Sequence, residues 1–525
     1  MNEKTFPRLA EFCFKLYAEN TLIYDSSDNK SLKYSEGFEL ILKVSQKLSD
    51  SGLSKGDIVL SYTPLSKESV ILCWASLFNG LVFVPVDYNW PQEMLSDIIK
   101  ETNPKLILTD SERFKNISDC KPGCLILFTG KNNPDNITPF FNWIDNSIYK
   151  SNTSISDISS SDLAVIQYTS GSTGKPKGVM LSQGALLIGG SLFAEHFDWK
   201  PDDLFMNLGD LHTGGGLKNT CFAPIHSGTS FVISTEAERS KILLTLELIS
   251  RLKVTYMAVA PTIIRQLNIL HTASRQEKLS SLKAIISAGA YLAHDQLLTF
   301  YNKYNIPVLN IYGSTETAGL CAGHNLSTFN PDDNSIGPVV RSQIKIEPDP
   351  PYGNENYVGE LLVKNDHLMI GYYKREAETN QVLKNGFFHT GDIVKQREDG
   401  FIEILGRKRN IIKNLQSELI HLEEIDCALE SYPYIEEACT CSFSQYEEDE
   451  KIVAMIVLKN SNILTSEESI ADLKKHLLKK LGKNRMPWCY YIEEKLPRNT
   501  AGKLQRQIIK NKVDEYIRSN SKRYF

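Results

Sequence analysis

Short apolar runs of strand length alternate with helical patterns over the larger, N-terminal part of the chain. The apolar runs include residues 58–60, 81–84, 106–108, 163–166 and 282–286, and the helical patterns include residues 39–53 and 66–78. Buried strands that are separated by helices are typical of α/β domains with largely parallel sheets. The pattern therefore predicts an α/β fold for this part of the chain.

The pattern changes after Tyr357. Residues 359–364 and 400–405 alternate between apolar and polar positions, as half-buried strands do, with Gly and Asp at the turns. A basic run at residues 407–409 follows, and the rest of the chain has strand and helix patterns of its own. We therefore predict two domains, an N-terminal domain of residues 1–406 and a C-terminal domain of residues 407–525.

Composition agrees with this organisation and excludes some functions. The chain has 525 residues, more than one hydrophobic core usually supports, and its net charge of -5 argues against a general nucleic-acid or anionic-membrane binder. The most apolar stretch, residues 70–86, is interrupted by Asn79, Gly80 and Pro85. It therefore predicts a buried helix followed by a buried strand rather than a membrane span. The N-terminus lacks the pattern of a secretory signal, and the cysteines lack zinc-site spacing. We expect a cytoplasmic protein with reduced, mostly buried thiols.

The most informative window is residues 168–179, Tyr-Thr-Ser-Gly-Ser-Thr-Gly-Lys-Pro-Lys-Gly-Val, which precedes a helical pattern that begins near Ser182. Its glycines let the backbone approach a phosphate closely, while its hydroxyls and two lysines add donors and positive charge. In an ordinary nucleotide-triphosphate loop Ser or Thr follows the Gly-Lys pair, whereas Pro176 follows it here. The window predicts a polyphosphate loop of another kind and disfavours a phosphate-loop kinase. A flexible Gly/Ser linker is the alternative.

Three further windows carry chemistry that suits a nucleotide. Residues 310–316, Asn-Ile-Tyr-Gly-Ser-Thr-Glu, follow a strand-like run at 307–309 and offer a ring for a nucleobase and a carboxylate for Mg²⁺. Residues 389–392, His-Thr-Gly-Asp, end on a carboxylate that can accept hydrogen bonds from both hydroxyls of a vicinal diol. Residues 496–503, Leu-Pro-Arg-Asn-Thr-Ala-Gly-Lys, end on a lysine that can neutralise charge developing on phosphorus. Taken singly, each charged residue is more often an exposed loop residue.

Together these windows resemble the motifs of the adenylate-forming superfamily of acyl- and aryl-CoA synthetases, luciferases and nonribosomal-peptide adenylation domains. They keep the family's order, and the resemblance covers roughly residues 10–508. It implies an α/β fold with a large N-terminal domain, made of two α/β subdomains plus a distorted β-barrel, and a small mobile α+β C-terminal domain. It also implies an AMP-forming ligase that uses ATP and Mg²⁺ to activate a carboxylic acid as an acyl-adenylate. The acyl group would then pass to a thiol, with coenzyme A (CoA) as the expected acceptor.

The resemblance also assigns roles to individual residues. The expected nucleotide-binding residues are Thr169, Ser170, Gly171, Ser172, Thr173, Gly174, Lys177, Gly289, Ala290, Asn310, Tyr312, Gly313, Asp392 and Arg407. The expected catalytic residues are Lys503, Glu316, Thr315, Thr173 and His212, of which Glu316 also holds the metal. The expected acid-pocket residues are His212, Gly214, Gly215, Gly289 and Ser314, and the expected hinge is Arg409. Tyr312 would contact adenine, Thr315 the α-phosphate, and Asp392 and Arg407 the ribose.

The acid pocket favours an acid without an α-amino group. Counting back from residues 227–229, the aspartate that binds the amino group in amino-acid-activating domains falls on Gly215. A buried ammonium would lose its usual partner there, which is unfavourable. Asp210 lies nearby in the sequence and keeps an amino-acid substrate open as an alternative.

The acceptor is the point at which the chain departs from the family pattern. Ser417 stands where a glycine is usual, and Leu422 stands where a proline is common. A side chain at a position of close approach can narrow a pantetheine channel. Two alternatives therefore stay open: an adenylating enzyme that loads a carrier protein or an amine, and a non-catalytic nucleotide- or acyl-binding protein. Residues 474–483 predict an amphipathic helix with exposed lysines, for which contact with CoA or an acidic carrier is the alternative.

Overall fold

The computed structural model describes residues 5–120, 123–130, 138–144, 158–169, 176–348, 357–413, 419–444, 450–459, 467–482, 485–498 and 504–519. The chain forms two compact units. Unit 1 comprises Met1–Gln343 and Lys364–Phe388, and unit 2 comprises Ile344–Val363 and His389–Phe525. The predicted domain boundary after residue 406 lies within a strand of unit 2, Ile402–Arg407, and the division into functional domains stays a prediction.

The described part of the chain contains the following regular elements. The helices are α1 (Phe6–Leu16), α2 (Tyr34–Asp50), α3 (Lys67–Phe78), α4 (Gln92–Thr102), α5 (Phe114–Asp119), α6 (Phe140–Ile144), α7 (Gln183–His196), α8 (Gly214–Cys221), α9 (Ala223–Ser227), α10 (Glu236–Ser240), α11 (Ile242–Leu252), α12 (Pro261–Ile269), α13 (Ala273–Lys278), α14 (His294–Tyr304), α15 (Glu376–Val382), α16 (Leu422–Glu430), α17 (Glu467–Leu481) and α18 (Arg506–Ser519). The strands are β1 (Thr21–Asp25), β2 (Lys30–Lys33), β3 (Ile58–Tyr62), β4 (Val82–Pro85), β5 (Leu106–Thr109), β6 (Leu125–Phe128), β7 (Leu163–Thr169), β8 (Lys177–Ser182), β9 (Leu204–Asn207), β10 (Ser230–Ile233), β11 (Tyr256–Val259), β12 (Ala284–Ser287), β13 (Val308–Ser314), β14 (Gly319–Gly323), β15 (Gln343–Pro348), β16 (Val358–Lys364), β17 (Gly371–Tyr372), β18 (Leu383–Lys384), β19 (Phe387–Gln396), β20 (Ile402–Arg407), β21 (Ile411–Lys413), β22 (Leu419–His421), β23 (Ile435–Ser444), β24 (Glu450–Leu458) and β25 (Cys489–Glu493).

Unit 1 contains two sheets that are largely parallel. One has the strand order β14-β13-β12-β11-β9-β10-β1-β2, and the other has the order β17-β8-β7-β4-β3-β5-β6. In the first sheet only the edge strands β14 and β2 run antiparallel to their neighbours. Strands such as β3, β11 and β12 are buried along their whole length because helices cover both faces of the sheets. The predicted α/β fold is confirmed.

The apolar stretch at residues 70–86 forms a buried helix and strand, as the sequence predicted. Helix α3 is buried on almost every side, and β4 follows it. Trp74 of this helix is fully buried and donates from its indole N–H to the carbonyl of Cys221 at 2.8 Å. Among the helices of the described residues, none combines the length and hydropathy that crossing a bilayer requires. In the same residues most cysteines are buried and none forms a disulfide.

Unit 2 combines a sheet of β15, β16, β19 and β20 with a smaller α+β region. That region contains the hairpin β21–β22 and the sheet β23-β24-β25, packed with α16, α17 and α18. Helix α17 buries Leu473 and Leu477, while Lys474, Lys475, Lys479 and Lys480 are exposed. The expected amphipathic helix with a lysine face is therefore confirmed.

Candidate active site

The predicted phosphate loop begins and ends on two paired strands. Thr169 ends β7, Lys177 begins β8, and the two residues lie opposite each other in an antiparallel ladder. Residues 170–175, which include the expected ligands Ser170, Gly171, Ser172, Thr173 and Gly174, lie outside the described residues. The helix expected near Ser182 is present as α7, and Ser182 Oγ caps it by accepting from the N–H of Ala185 at 3.1 Å. Strand β8 before it was not predicted.

Lys177 is held by a carboxylate and lies beside an aromatic ring. Its Nζ lies 2.5 Å from Oε2 of Glu378 and 5.2 Å from the centroid of the Tyr372 ring. The ion pair fixes a cation at the end of the predicted phosphate loop. Neither Glu378 nor Tyr372 was indicated by the sequence.

The window at residues 310–316 spans the end of a strand and the turn after it. The sequence predicted a strand only as far as Leu309, but β13 continues to Ser314 because residues 311–314 pair with β14. A Cβ at Gly313 would overlap the backbone carbonyl of Gly319, so only glycine fits this approach of the two strands. Thr317 closes the turn, since its Oγ1 accepts from the N–H of Ser314 at 2.9 Å. Thr315 and Glu316 project from this turn.

Tyr372 contacts the expected metal ligand. Its hydroxyl donates to Oε1 of Glu316 at 3.1 Å, and the N–H of Met369 donates to the backbone carbonyl of Glu316 at 2.8 Å. Burial, followed by the charge of Glu316, raises the pKa of Tyr372 above its ordinary value, so the hydroxyl stays protonated and donates. Tyr372 lies in the short strand β17, which pairs with β8. No local pattern around Tyr372 signals this contact, because its partner is distant in the sequence.

The expected pocket glycines begin helix α8. Thr213 caps the helix, and its Oγ1 accepts from the N–H of Gly216 at 2.9 Å. A Cβ at Gly214 would lie 2.8 Å from Oγ1 of Thr315, so the absence of a side chain allows α8 to approach the β13–β14 turn. The carbonyl of Gly215 accepts from Nδ2 of Asn207 at 3.1 Å. The fold therefore brings an expected acid-pocket residue against an expected catalytic residue.

His212, the remaining residue expected from this segment, is buried beside an acid and an aromatic ring. Its Nε2 lies 3.7 Å from Oδ2 of Asp87, and its ring meets the Tyr88 ring edge-on at a centroid distance of 5.8 Å. Only 8% of its side chain is exposed. These contacts orient the imidazole within unit 1.

Asp210 is fully engaged by the protein itself. Its Oδ1 accepts from the N–H of Leu65 at 2.7 Å and from Arg239 Nη2 at 2.9 Å, and its Oδ2 accepts from the hydroxyl of Tyr88 at 2.7 Å. The carboxylate is buried and its charge is already paired with Arg239. Its partners make Asp210 a structural residue in this arrangement.

Gly289 and Ala290 follow β12 at the carboxyl end of the first sheet. Ser287, the last residue of β12, lies opposite Asn310 of β13, so the two expected nucleotide-binding segments emerge side by side. Gly289 has a φ of +89°, which disfavours any residue with a side chain. Both Gly289 and Ala290 are exposed, whereas Tyr312 is buried. Ligands of open α/β sheets bind at this edge.

The expected ribose-binding residues of unit 2 form an ion pair. Asp392 of β19 and Arg407 of β20 are opposite each other in the ladder, and Arg407 Nε lies 2.6 Å from Asp392 Oδ1. Thr390 Oγ1 accepts from the N–H of Asp392 at 3.0 Å, which fixes the turn. The expected hinge, Arg409, is exposed in a 3-10 turn, Lys408–Asn410.

The expected catalytic residue Lys503 lies outside the described residues, as does Ser417, but both ends of the segment that carries Lys503 are described. Arg498 and Leu504 form an antiparallel bridge, and the N–H of Gln505 donates to the carbonyl of Pro497 at 2.9 Å. Helix α18 then begins at Arg506, whose Nη2 lies 2.5 Å from Oδ2 of Asp426. The described residues on either side of residues 499–503 are thus held by backbone pairing and by the buried ion pair of Arg506 with Asp426.

Within the described residues, one group of three side chains could hold a metal ion, and it is separate from Glu316. The group consists of Glu347, Glu360 and His389 in unit 2. Glu360 already accepts from the N–H of Gly391 at 3.1 Å and from Lys408 Nζ at 3.2 Å. Its carboxylate therefore has partners within the protein.

Comparisons with known proteins identify the family of this chain. Residues 13–373 match the model of a family described as AMP-binding enzyme. Acetyl-coenzyme A synthetase 1 of Kluyveromyces lactis is 26% identical, over 91% of this chain and 74% of that protein. The L-proline–[L-prolyl-carrier protein] ligase of Pseudomonas fluorescens is 25% identical, over 95% of this chain and 97% of that protein.

Solved structures show the same fold. A crystal structure of the anthranilate CoA ligase AuaEII in complex with anthranoyl-AMP has a TM-score of 0.88 at 20% identity and covers 98% of each chain. ATP-bound MatB from Rhodopseudomonas palustris has a TM-score of 0.84 at 23% identity, over 96% of this chain and 99% of that one. The fold and the family match define a member of the adenylate-forming superfamily, as the sequence predicted. The chain belongs to the AMP-binding enzyme family.

Proposed function

We propose that this protein is an AMP-forming ligase that joins a carboxylic acid to a thiol, with CoA as the preferred acceptor. The observation that supports the proposal is the close approach of Gly214 to Thr315, whose Oγ1 would lie 2.8 Å from a Cβ at Gly214. The segment that we assign to the acid is therefore close to the turn that we assign to the α-phosphate and the metal. A carboxylate held by α8 would therefore be close to the phosphorus atom that it attacks.

The residues of unit 1 suit the phosphates, the base and the metal. Thr169, Lys177 and the segment between them would hold the phosphates, while Gly289, Ala290, Asn310, Tyr312 and Gly313 would bind the adenine side. Glu316 fits Mg²⁺, because a carboxylate that accepts one hydrogen bond from Tyr372 keeps lone pairs for a hard cation. When bound, Mg²⁺ neutralises phosphate charge. Asp392 and Arg407 would bind the ribose hydroxyls.

The proposed reaction has two steps. In the first step a carboxylate oxygen of the acid forms a bond to the α-phosphorus of ATP, and the bond from that phosphorus to the bridging oxygen breaks, releasing pyrophosphate. Thr315 and the ammonium of Lys503 stabilise the charge that develops on the phosphoryl oxygens. In the second step the thiol loses its proton, its sulfur bonds to the acyl carbon, and AMP leaves. Rotation about Arg409 between the steps would withdraw Lys503.

The engagement of Asp210 supports an acid without an α-amino group. An α-ammonium in the pocket needs a carboxylate partner, and Asp210 is already paired with Arg239 and hydrogen-bonded by Tyr88. Gly215 has no side chain with which to replace it. We therefore propose a carboxylic acid that does not carry a charged amine next to the reacting group.

The acceptor and the acid are tested together by pyrophosphate release. The purified protein is incubated with MgATP and a panel of carboxylic and amino acids, with and without CoA, and pyrophosphate, AMP and acyl-thioester are measured. We expect acid-dependent pyrophosphate release and, with CoA, an acyl-CoA product. No pyrophosphate with any acid would contradict the proposal and favour a non-catalytic binding protein.

Loading of a carrier protein is a second candidate function. Its support is the likeness to the prolyl-carrier-protein ligase, which extends over nearly the full length of both proteins. Pyrophosphate release without acyl-CoA, together with acyl transfer to a phosphopantetheinylated carrier, would favour this candidate. The cytoplasmic location stays a prediction.

A further inference from the structure

Lys218 is a buried lysine that no acidic residue in the described part of the chain neutralises. It lies on α8, one helical turn after Gly214, and only 5% of it is exposed. Within the described residues, no carboxylate lies at ion-pair distance from its Nζ. Burial lowers the pKa of Lys218 to about 8, so it still carries its charge at neutral pH. An uncompensated buried charge is unfavourable unless a ligand pairs with it.

Two glycines make room for this side chain. A Cβ at Gly189 of α7 would lie 2.8 Å from Cδ of Lys218, and a Cβ at Gly319 would overlap its Nζ. Gly319 also has a φ of +118°, a conformation that favours glycine. The stem of Lys218 therefore runs past α7, and its ammonium ends beside the first residue of β14.

The ammonium lies next to the segments assigned to the acid. Gly319 is paired with Ser314, an expected acid-pocket residue, in the β13–β14 ladder. Gly214, on the same face of α8 as Lys218, contacts the turn at Thr315. The ammonium of Lys218 therefore lies at the edge of the acid pocket that these residues define. All of these residues belong to unit 1.

A second buried polar atom lies in the same region. His367 is 1% exposed, and within the described residues its Nε2 has no hydrogen-bond partner. Its Nδ1 lies 3.0 Å from Oδ1 of Asp366. Burial is the main cause that lowers the pKa of His367, and Met369, two residues further on, donates from its N–H to the carbonyl of Glu316 in the β13–β14 turn. The region thus contains polar groups that the described residues leave without a partner.

We propose that Lys218 determines substrate specificity by pairing with a second carboxylate of the acid, so that the preferred substrate is a dicarboxylic acid. This inference rests on the proposed function. One carboxylate would react at the Thr315 turn while the other neutralises the Lys218 ammonium. Lys218 lies on the helix that carries the acid-pocket glycines, which favours the acid over the ATP phosphates as its partner.

The test compares the wild type with Lys218→Met, which keeps a long unbranched side chain and removes the charge. Pyrophosphate release is measured at saturating MgATP with α,ω-dicarboxylic acids and with monocarboxylic acids of the same carbon number. We expect the wild type to prefer a dicarboxylic acid, and Lys218→Met to lower kcat/KM for that acid about 100-fold while leaving the monocarboxylic acid unchanged or improved. Lys283→Met is the matched control, because Lys283 pairs with Asp203 away from the pocket residues.

Three results would overturn the inference. The wild type could prefer monocarboxylic acids, Lys218→Met could lose the same factor in kcat/KM for all acids, or Lys218→Met could raise the KM for ATP with every acid. Thermal unfolding with added dicarboxylic acid and AMP separates binding from turnover. We expect the acid to raise the Tm of the wild type and not that of Lys218→Met. If no acid released pyrophosphate but this difference in Tm remained, the proposed ligase activity would be contradicted. The assignment of Lys218 as a carboxylate-binding residue would still be supported.

Discussion

Tyr372 donates a hydrogen bond from its hydroxyl to Oε1 of Glu316 at 3.1 Å, across 56 residues of sequence. The face of the same ring lies 5.2 Å from Nζ of Lys177, at the end of the predicted phosphate loop. The ring therefore connects a cation assigned to phosphate with a carboxylate assigned to the metal. Because the N–H of Met369 also donates to the backbone of Glu316, the β17 segment holds the turn at two points.

Tyr372→Phe removes the hydrogen bond and keeps the ring. Without this donor the Glu316 carboxylate is less well oriented, so we expect kcat/KM for MgATP to fall about tenfold and the Mg²⁺ concentration at half-maximal activity to rise. Pyrophosphate release during Mg²⁺ titration measures both. Tyr373→Phe is the control, and equal behaviour of the two variants would contradict a role for Tyr372.

Asp392→Ala tests the ribose assignment. Its carboxylate is expected to accept hydrogen bonds from the ribose hydroxyls, so the variant should raise the KM for ATP about tenfold or more. A sharper measurement compares 2′-deoxy-ATP with ATP. The wild type should use 2′-deoxy-ATP less well than ATP, and the variant should use the two equally well. Asp399→Ala is the control, because Asp399 pairs with Arg397 in a nearby turn. Persisting discrimination in Asp392→Ala would refute the assignment.

Lys503→Ala separates the two proposed steps. We expect acid-dependent pyrophosphate release to fall about 100-fold or more, because the phosphoryl charge loses its neutralising ammonium. Transfer from a supplied acyl-adenylate to CoA should be retained, since the second step does not use this group. Lys495→Ala, at an exposed lysine before the segment, is the control. Normal pyrophosphate release by Lys503→Ala would rule out the proposed role.

Arg506→Met tests the anchor of α18. Arg506 pairs with Asp426 at 2.5 Å and donates to the backbone carbonyl of Thr440. Removing one partner of a buried pair leaves the other charge uncompensated, so we expect the unfolding free energy of the C-terminal α+β region to drop by about 3–5 kcal/mol. Urea unfolding measures this change. Arg518→Met, at an exposed position of the same helix, should leave the unfolding free energy unchanged. Equal destabilisation by the two variants would contradict a stabilising role for the Arg506–Asp426 pair.

Lys218→Met should change the pH dependence of stability. The pKa of Lys218 is lowered from 10.5 to about 8, so between these pH values the unfolded chain binds more protons and the free energy of unfolding rises with pH. Below pH 8 the destabilisation by Lys218 is fully present. We therefore expect the variant to be more stable than the wild type by about 3 kcal/mol at pH 7, with the difference shrinking towards pH 10.5. A variant that is less stable at pH 7 would contradict this prediction.

The sequence by itself determined the α/β class, several of the strands and helices, and the family. The apolar runs at residues 163–166 and 282–286 became β7 and β12, because periodicity reports which faces of an element are buried. The windows at residues 168–179 and 310–316 signalled a nucleotide enzyme, because backbone approach to phosphate requires glycine at defined positions. These requirements are local, so they are readable from neighbouring residues.

Only the tertiary structure decided which side chains meet. The extension of β13 to Ser314 depends on pairing with β14, and the hydrogen bond of Tyr372 to Glu316 depends on β17 joining β8. The sequence left Asp210 as a possible ligand, whereas the fold surrounds it with partners from separate elements. No local pattern singled out Lys218, which packing buries without an acidic partner among the described residues. Burial and distance arise from contacts between remote segments, which no local pattern encodes.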